Sequence, residues 1–90
     1  MRSRYTAFVL RDEAYLLRTW HPSTRPPRVD FDPQLRYTSL EVLATSGGSA
    51  FHSEGTVEFR ARSNRGDLHE NSRFVRENGA WVYLDGDITP

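Results

Sequence analysis

Apolar and polar positions follow two different periods along this chain. Near the start, Tyr5, Phe8 and Val9 recur at i, i+3 and i+4, which predicts a helix over Arg2–Leu10 with those three on one face. Asp12 then has the chemistry of an N-cap for a second helical segment, and Glu13 stands at the positive end of its dipole. Tyr15, Leu16, Thr19 and Trp20 continue an apolar stripe as far as His21-Pro22, where the residue before proline is pushed out of the α region. The same pattern also fits one helix running straight through Arg11-Asp12. Pro22, Pro26, Pro27 and Pro33 break all periodicity over residues 22–33 and predict a stiff, irregular crossing. Asp32-Pro33 resembles an N-cap with proline at the first helical position, which predicts one helical turn over residues 33–37.

From Thr38 the period becomes two. Leu40, Val42 and Ala44 alternate with Ser39, Glu41 and Leu43 in a first strand, closed by the turn signal Ser46-Gly47-Gly48-Ser49. A second strand covers residues 51–63, with Val57, Phe59 and Ala61 on one side and Glu58, Arg60 and Arg62 on the other. Asn64-Arg65-Gly66-Asp67 leads into a third strand, residues 68–76, and a fourth spans residues 80–87. Asn78 and Gly79 between them both tolerate positive φ, as a two-residue type I′ hairpin turn requires. Counting outward from that turn sets Glu77 opposite Ala80, Arg76 opposite Trp81, Phe74 opposite Tyr83 and Ser72 opposite Asp85. Counting across residues 64–67 sets Glu70 opposite Ala61, Ser72 opposite Phe59 and Phe74 opposite Val57. One sheet face then carries Val57, Phe59, Ala61, Phe74, Trp81 and Tyr83, with Glu70, Ser72 and Asp85 among them. The predicted architecture is α+β: N-terminal helices packed on a curved four-stranded antiparallel sheet.

Length and composition limit what this architecture can be. Ninety residues allow one modest core, so residues 1–90 are expected to form a single domain. Hydrophobic residues make up 37% and aromatics 12%; much of the core area must therefore come from large rings. The formal net charge is zero and every positive residue is arginine. A balanced chain offers no general attraction to nucleic acid or an anionic membrane. The missing lysine fits codon bias, and also arginine retained for phosphate or carboxylate recognition. With no cysteine, disulfides, thiolate catalysis and cysteine-ligated zinc are excluded for this chain. No apolar run approaches the ~20 residues of a membrane span, and the first residues lack a signal-peptide core, so a cytoplasmic location is expected.

An apolar face holding two carboxylates (Glu70, Asp85) and a hydroxyl suits a pocket with an aromatic lining and a few convergent polar groups. A carboxylate among rings has its pKa raised, which is how general bases and acids are made. The plain alternative is that Glu70 and Asp85 lie near strand ends and pair with arginine. His21, beside Trp20 at a helix end, is a third candidate acid or base, or else a C-cap for the last carbonyls. His21, His52 and His69 are too widely spaced for a metal motif, and no metal is expected. No phosphate loop, nucleophile elbow or dinucleotide fingerprint is present, and no cofactor is expected. Arg4, Arg11 and Arg18 recur every seven residues and could form a stripe, either solvated or facing an anion or nucleic acid. Glu58 opposite Arg73 reads as a cross-strand ion pair.

Two segments carry a family resemblance. Met1-Arg2-Ser3-Arg4-Tyr5-Thr6-Ala7-Phe8-Val9, followed by Asp12-Glu13-Ala14-Tyr15-Leu16-Leu17-Arg18-Thr19-Trp20-His21-Pro22-Ser23, resembles the opening of the middle domain of the YchJ-like bacterial proteins. The stretch from Ser72-Arg73-Phe74-Val75-Arg76-Glu77 through Asn78-Gly79 to Ala80-Trp81-Val82-Tyr83-Leu84-Asp85-Gly86 resembles that family's C-terminal hairpin. The likeness is weak between Arg25 and Ala50. It implies a nuclear-transport-factor-2-like domain of cystatin-like fold in a bacterial, cytoplasmic protein. Members of the family flank the domain with cysteine-rich, zinc-binding SEC-C segments. This chain begins at the motif's own Met1 and has no cysteine, so zinc binding and contacts through those segments are not carried over. The resemblance brings no catalytic residue with it.

Three functions are therefore expected in order. The first is a binding module holding a small molecule or a protein partner, with Tyr5, Trp20, Phe59, Ser72, Phe74, Trp81 and Tyr83 as binding residues. The second is an enzyme of isomerase or dehydratase type, with Glu70 or Asp85 as base by fold analogy. The third is nucleic-acid or ribosome association through the helix arginines, which zero net charge disfavours. A homodimer through the outer sheet face is expected from fold analogy.

Overall fold

The structure is a computed structural model and describes residues 1–89, so the last residue of the predicted domain lies outside it. Helix α1 (Arg2–Leu10) and short helix α2 (Glu13–Arg18) precede strands β1 (Tyr37–Gly47), β2 (Glu54–Ser63), β3 (Gly66–Glu77) and β4 (Ala80–Thr89). The strands form one antiparallel sheet in the order β1-β2-β3-β4. This is the predicted α+β architecture.

The two helices are separate. Arg11 takes the left-handed conformation (φ 55°), and the amides of Arg11 and Asp12 bond back to Phe8 and Ala7 carbonyls, a Schellman-type end. Asp12 caps α2 as predicted, its carboxylate accepting from the Tyr15 amide at 3.1 Å. The buried stripe of α1 is rotated by one residue from the predicted one. Arg4 and Ala7 are buried, whereas Val9 is 47% exposed. The rotation brings Arg4 over the rings of Phe8, Trp20 and Tyr83, at 5.2, 4.5 and 3.7 Å from their centroids. That cation–π cluster also dissolves the expected Arg4-Arg11-Arg18 stripe: Arg4 points inward, and Arg11 bonds the Pro33 carbonyl at 3.0 Å.

Residues 33–34 form a turn in place of the helical turn predicted over residues 33–37. The Asp32 carboxylate accepts from the Gln34 amide at 2.9 Å and its carbonyl from Leu35 at 3.1 Å, after which Tyr37 is already in β1. The second strand starts three residues later than predicted, at Glu54, and Phe51 stands 99% exposed in the preceding loop. In β1 the pairing with β2 skips Leu43, a bulge that breaks the predicted alternation, and the strand beyond Leu40 is exposed.

Asn78 (φ 51°) and Gly79 (φ 83°) make the predicted turn, with Glu77, Arg76 and Phe74 opposite Ala80, Trp81 and Tyr83. Beyond Phe74 the register changes. Leu84 is bulged out, so Asp85 pairs with Arg73 and Gly86 with Ser72. The extra residue moves Asp85 to the outer face, away from Trp81 and Tyr83, which corrects its predicted position. The β2–β3 register is also two residues from the predicted one, with Phe59 opposite Glu70 and Val57 opposite Ser72. Gly66, at φ 109°, already belongs to β3, so the loop is shorter than residues 64–67. A shift of two keeps every side chain on its predicted face.

The apolar core is small: Ala7, Leu16, Phe59, Ala61 and Val82 are its buried members. The free edge of β4 is covered where Tyr83 donates to the Thr19 carbonyl at 2.9 Å and accepts from the His21 amide at 2.8 Å. No helix among the described residues is long and apolar enough to cross a membrane.

Candidate functional site

The inner face of the sheet, turned towards α1, presents Phe59, Ala61, Glu70, Ser72, Phe74 and Tyr83 by the period-two rule applied to the observed register. Between this face and α1 lies a cavity of about 90 Å³, lined by Met1, Arg4, Tyr5 and Phe8 from the N-terminal segment and by Tyr37, Phe59, Ala61, Leu68, Glu70 and Tyr83. A second cavity, about 110 Å³, shares Met1, Arg4 and Tyr83 with the first and lies against Ser3, Tyr15, Thr19, Phe74 and Trp81. The rings pack edge to face: Tyr5 with Tyr37 at 5.8 Å, Trp20 with Tyr83 at 5.1 Å, and Phe74 with Tyr83 at 5.7 Å.

Glu70 is the held carboxylate of this face. Its Oε2 accepts from the hydroxyl of Ser72, which is fully buried, and from the Tyr83 hydroxyl at 3.3 Å. Gly86 makes room for it: a Cβ there would stand 2.5 Å from Glu70 Oε2 and 2.7 Å from Cδ. Burial pushes the Tyr83 phenol up to about 12, and the Glu70 charge adds to the effect. Burial raises the Tyr37 phenol in the same direction.

Arg4 is the second unusual group. It is 8% exposed, and its Nη1 is buried with no hydrogen-bond partner. Burial lowers its pKa, opposed by the nearby Tyr83 and Glu70. Among the described residues Arg4 and Glu70 form no salt bridge. A guanidinium and a carboxylate thus share one aromatic-lined cavity, each leaving hydrogen-bonding capacity unspent.

The other candidates lie elsewhere. Asp85 bonds Arg73, which also takes Asp87 at 2.7 Å, so it is neutralised on the outer face. His21 meets Glu77 at 3.2 Å and Ser23, outside the cavity. Glu58, expected to pair with Arg73, is bonded at 2.6 Å to His69, because Thr56 is the residue opposite Arg73. Trp20 stacks beneath Arg4, and Trp81 lies under the Arg76 guanidinium at 4.9 Å. A wider groove of about 410 Å³ runs from Phe8 and Val9 to Phe31, Leu35 and Tyr37. Its charged groups are already engaged: Arg11 and Arg36 bond the Pro33 carbonyl, and Asp32 pairs with Arg65. The sequence pattern sets Arg4 in a stripe with Arg11 and Arg18, solvated or facing an anion, and gives no sign of its burial among the rings or of the room at Gly86.

Residues 1–86 match the family described as YchJ, middle NTF2-like domain. The chain belongs to this family. It is 69% identical over 88 residues to a UPF0225 protein of Streptomyces avermitilis, covering 98% of this chain and 63% of that protein. A UPF0225 protein of Streptomyces coelicolor is 64% identical over 98% of this chain and 71% of its own length. This chain therefore spans about two thirds of these relatives. The solution structure of a SEC-C motif containing protein from Rhodopseudomonas palustris superposes with a TM-score of 0.82 at 34% identity, over all of this chain and 76% of that one. Arg4, Glu70, Ser72, Tyr83 and Gly86 fall inside the matched span.

Proposed function

We propose that this domain is a small-molecule-binding module whose site is the cavity between α1 and the inner sheet face. One observation carries this reading: Arg4 and Glu70 face the same aromatic-lined cavity without pairing with each other. Pockets of this kind bind through an apolar lining and a few fixed polar groups. Glu70 is fixed by Ser72, Tyr83 and the room at Gly86, while Arg4 is fixed by three rings. A fragment screen by amide NMR tests it. Small polar ligands should shift Tyr5, Phe8, Phe59, Glu70 and Tyr83 together, and a screen that moves only surface residues rejects the reading.

A second reading has its own observation. Glu70 has no arginine partner and touches a cavity, the condition a general base needs, whereas Asp85 is taken by Arg73. Proton abstraction next to a carbonyl would then exchange that proton for deuterium in heavy water. Exchange that Glu70→Gln abolishes supports this reading, and no exchange across a panel of small ketones and keto acids rejects it. The nucleic-acid alternative loses its stripe with Arg4 buried. Dimerisation through the outer sheet face remains a proposal, and a monomer mass by light scattering at high concentration contradicts it.

A further inference from the structure

We infer that the cavity's ligand is a compact carboxylate carrying a hydroxyl or ammonium group, its carboxylate on Arg4 and its donor on Glu70. This rests on the cavity being the binding site. A buried guanidinium without an anion is costly, and an arriving carboxylate relieves that cost. The centroids of the Tyr83 and Trp20 rings lie 3.7 and 4.5 Å from the central carbon of the Arg4 guanidinium. Nη1 is closed to solvent, so a planar carboxylate in the cavity would meet the other N–H groups of the fork, whose geometry matches it.

Glu70 supplies the other half. An ionised carboxylate only accepts hydrogen bonds. Ser72 and Tyr83 both donate to Oε2, and among the described residues nothing donates to Oε1. The ligand group that completes it must therefore be a donor. The same negative charge disfavours a doubly charged phosphate in the shared space. A volume of about 90 Å³ holds roughly three water-sized groups. Only the smallest hydroxy or amino acids fit it, with overflow towards the neighbouring 110 Å³ space past Arg4.

Calorimetric titration of the full chain with glycolate, glycine, acetate, ethylene glycol and inorganic phosphate tests the assignment. Glycolate and glycine should bind, with acetate weaker by about tenfold for want of the donor. Ethylene glycol and phosphate should be weaker still. Arg4→Met should weaken glycolate by about tenfold or more. Should Arg4→Met fail to fold, Arg4→Lys keeps the charge, loses the fork and should still weaken glycolate. Glu70→Gln should narrow the gap between glycolate and acetate. Phosphate or ethylene glycol binding as tightly as glycolate, or an arginine variant that folds and binds unchanged, overturns the ligand class and leaves the cavity reading standing. If neither this panel nor any member of the fragment screen moves the cavity, both fall.

Discussion

The two faces of this sheet treat charge in opposite ways. On the outer face the cross-strand charges pair: Arg73 holds Asp85 and Asp87, and Glu58 holds His69. On the inner face Arg4 is buried with an unpartnered Nη1, and Glu70 is held by neutral hydroxyls. Exposed ion pairs need no further explanation and contribute little. A buried cation left unpaired does need one, because stability alone would favour an apolar side chain there. The contrast supports the inner face as the candidate site.

The largest effect is expected in the inner-face core. Phe59, 4% exposed on the inner face, should lose about 3–5 kcal/mol on Phe59→Ala by urea unfolding. Gly86→Ala tests the room made for Glu70. Its Cβ would meet the carboxylate at 2.5 Å and should swing it away, costing about 1–2 kcal/mol of Ser72 and Tyr83 bonding. Because Glu70 helps raise the Tyr83 phenol, ultraviolet titration of that variant should find Tyr83 ionising earlier than in the native chain.

The native chain has its own alkaline signature. The Tyr83 pKa is raised from 10.0 to about 12 on folding. The neutral phenol is thus favoured in the folded state, so this contribution is complete below pH 10 and is lost as pH climbs towards 12. Tyr83→Phe should remove that component from the unfolding curve, and an unchanged curve would contradict the assignment. The smallest effect belongs outside. Hydrogen bonds to Arg73 hold the Asp87 carboxyl below its usual range, so its contribution is present at neutral pH and fades in acid as the group protonates. Both side chains are solvated, so Arg73→Ala should leave the midpoint nearly unmoved at physiological salt.

How much of this was legible in the sequence depended on distance from a local signal. Asp12 and Asn78-Gly79 are short-range devices, so the α2 cap and the last hairpin were readable. The inner-face grouping of Phe59, Glu70, Ser72, Phe74 and Tyr83 was readable as well, because a two-residue register shift preserves faces. The Leu84 bulge was not. No residue type announces it, and its effect was to carry Asp85 across the sheet. Arg4 reads as part of a helix stripe, solvated or facing an anion, because arginine seldom buries. Its burial depends on Trp20 and Tyr83 arriving from distant parts of the chain. Gly86 matters only through the side chain that lies over it.

The most direct test is the urea midpoint of the native chain and of Arg4→Met, each with and without saturating glycolate. If Arg4 is kept for a ligand, the substitution should change ligand-free stability by less than about 1 kcal/mol, trading cation–π contacts against an unpaired buried charge. Glycolate should then raise the midpoint of the native chain only. A loss of about 3 kcal/mol or more without ligand, or equal stabilisation of both proteins by glycolate, would contradict the account.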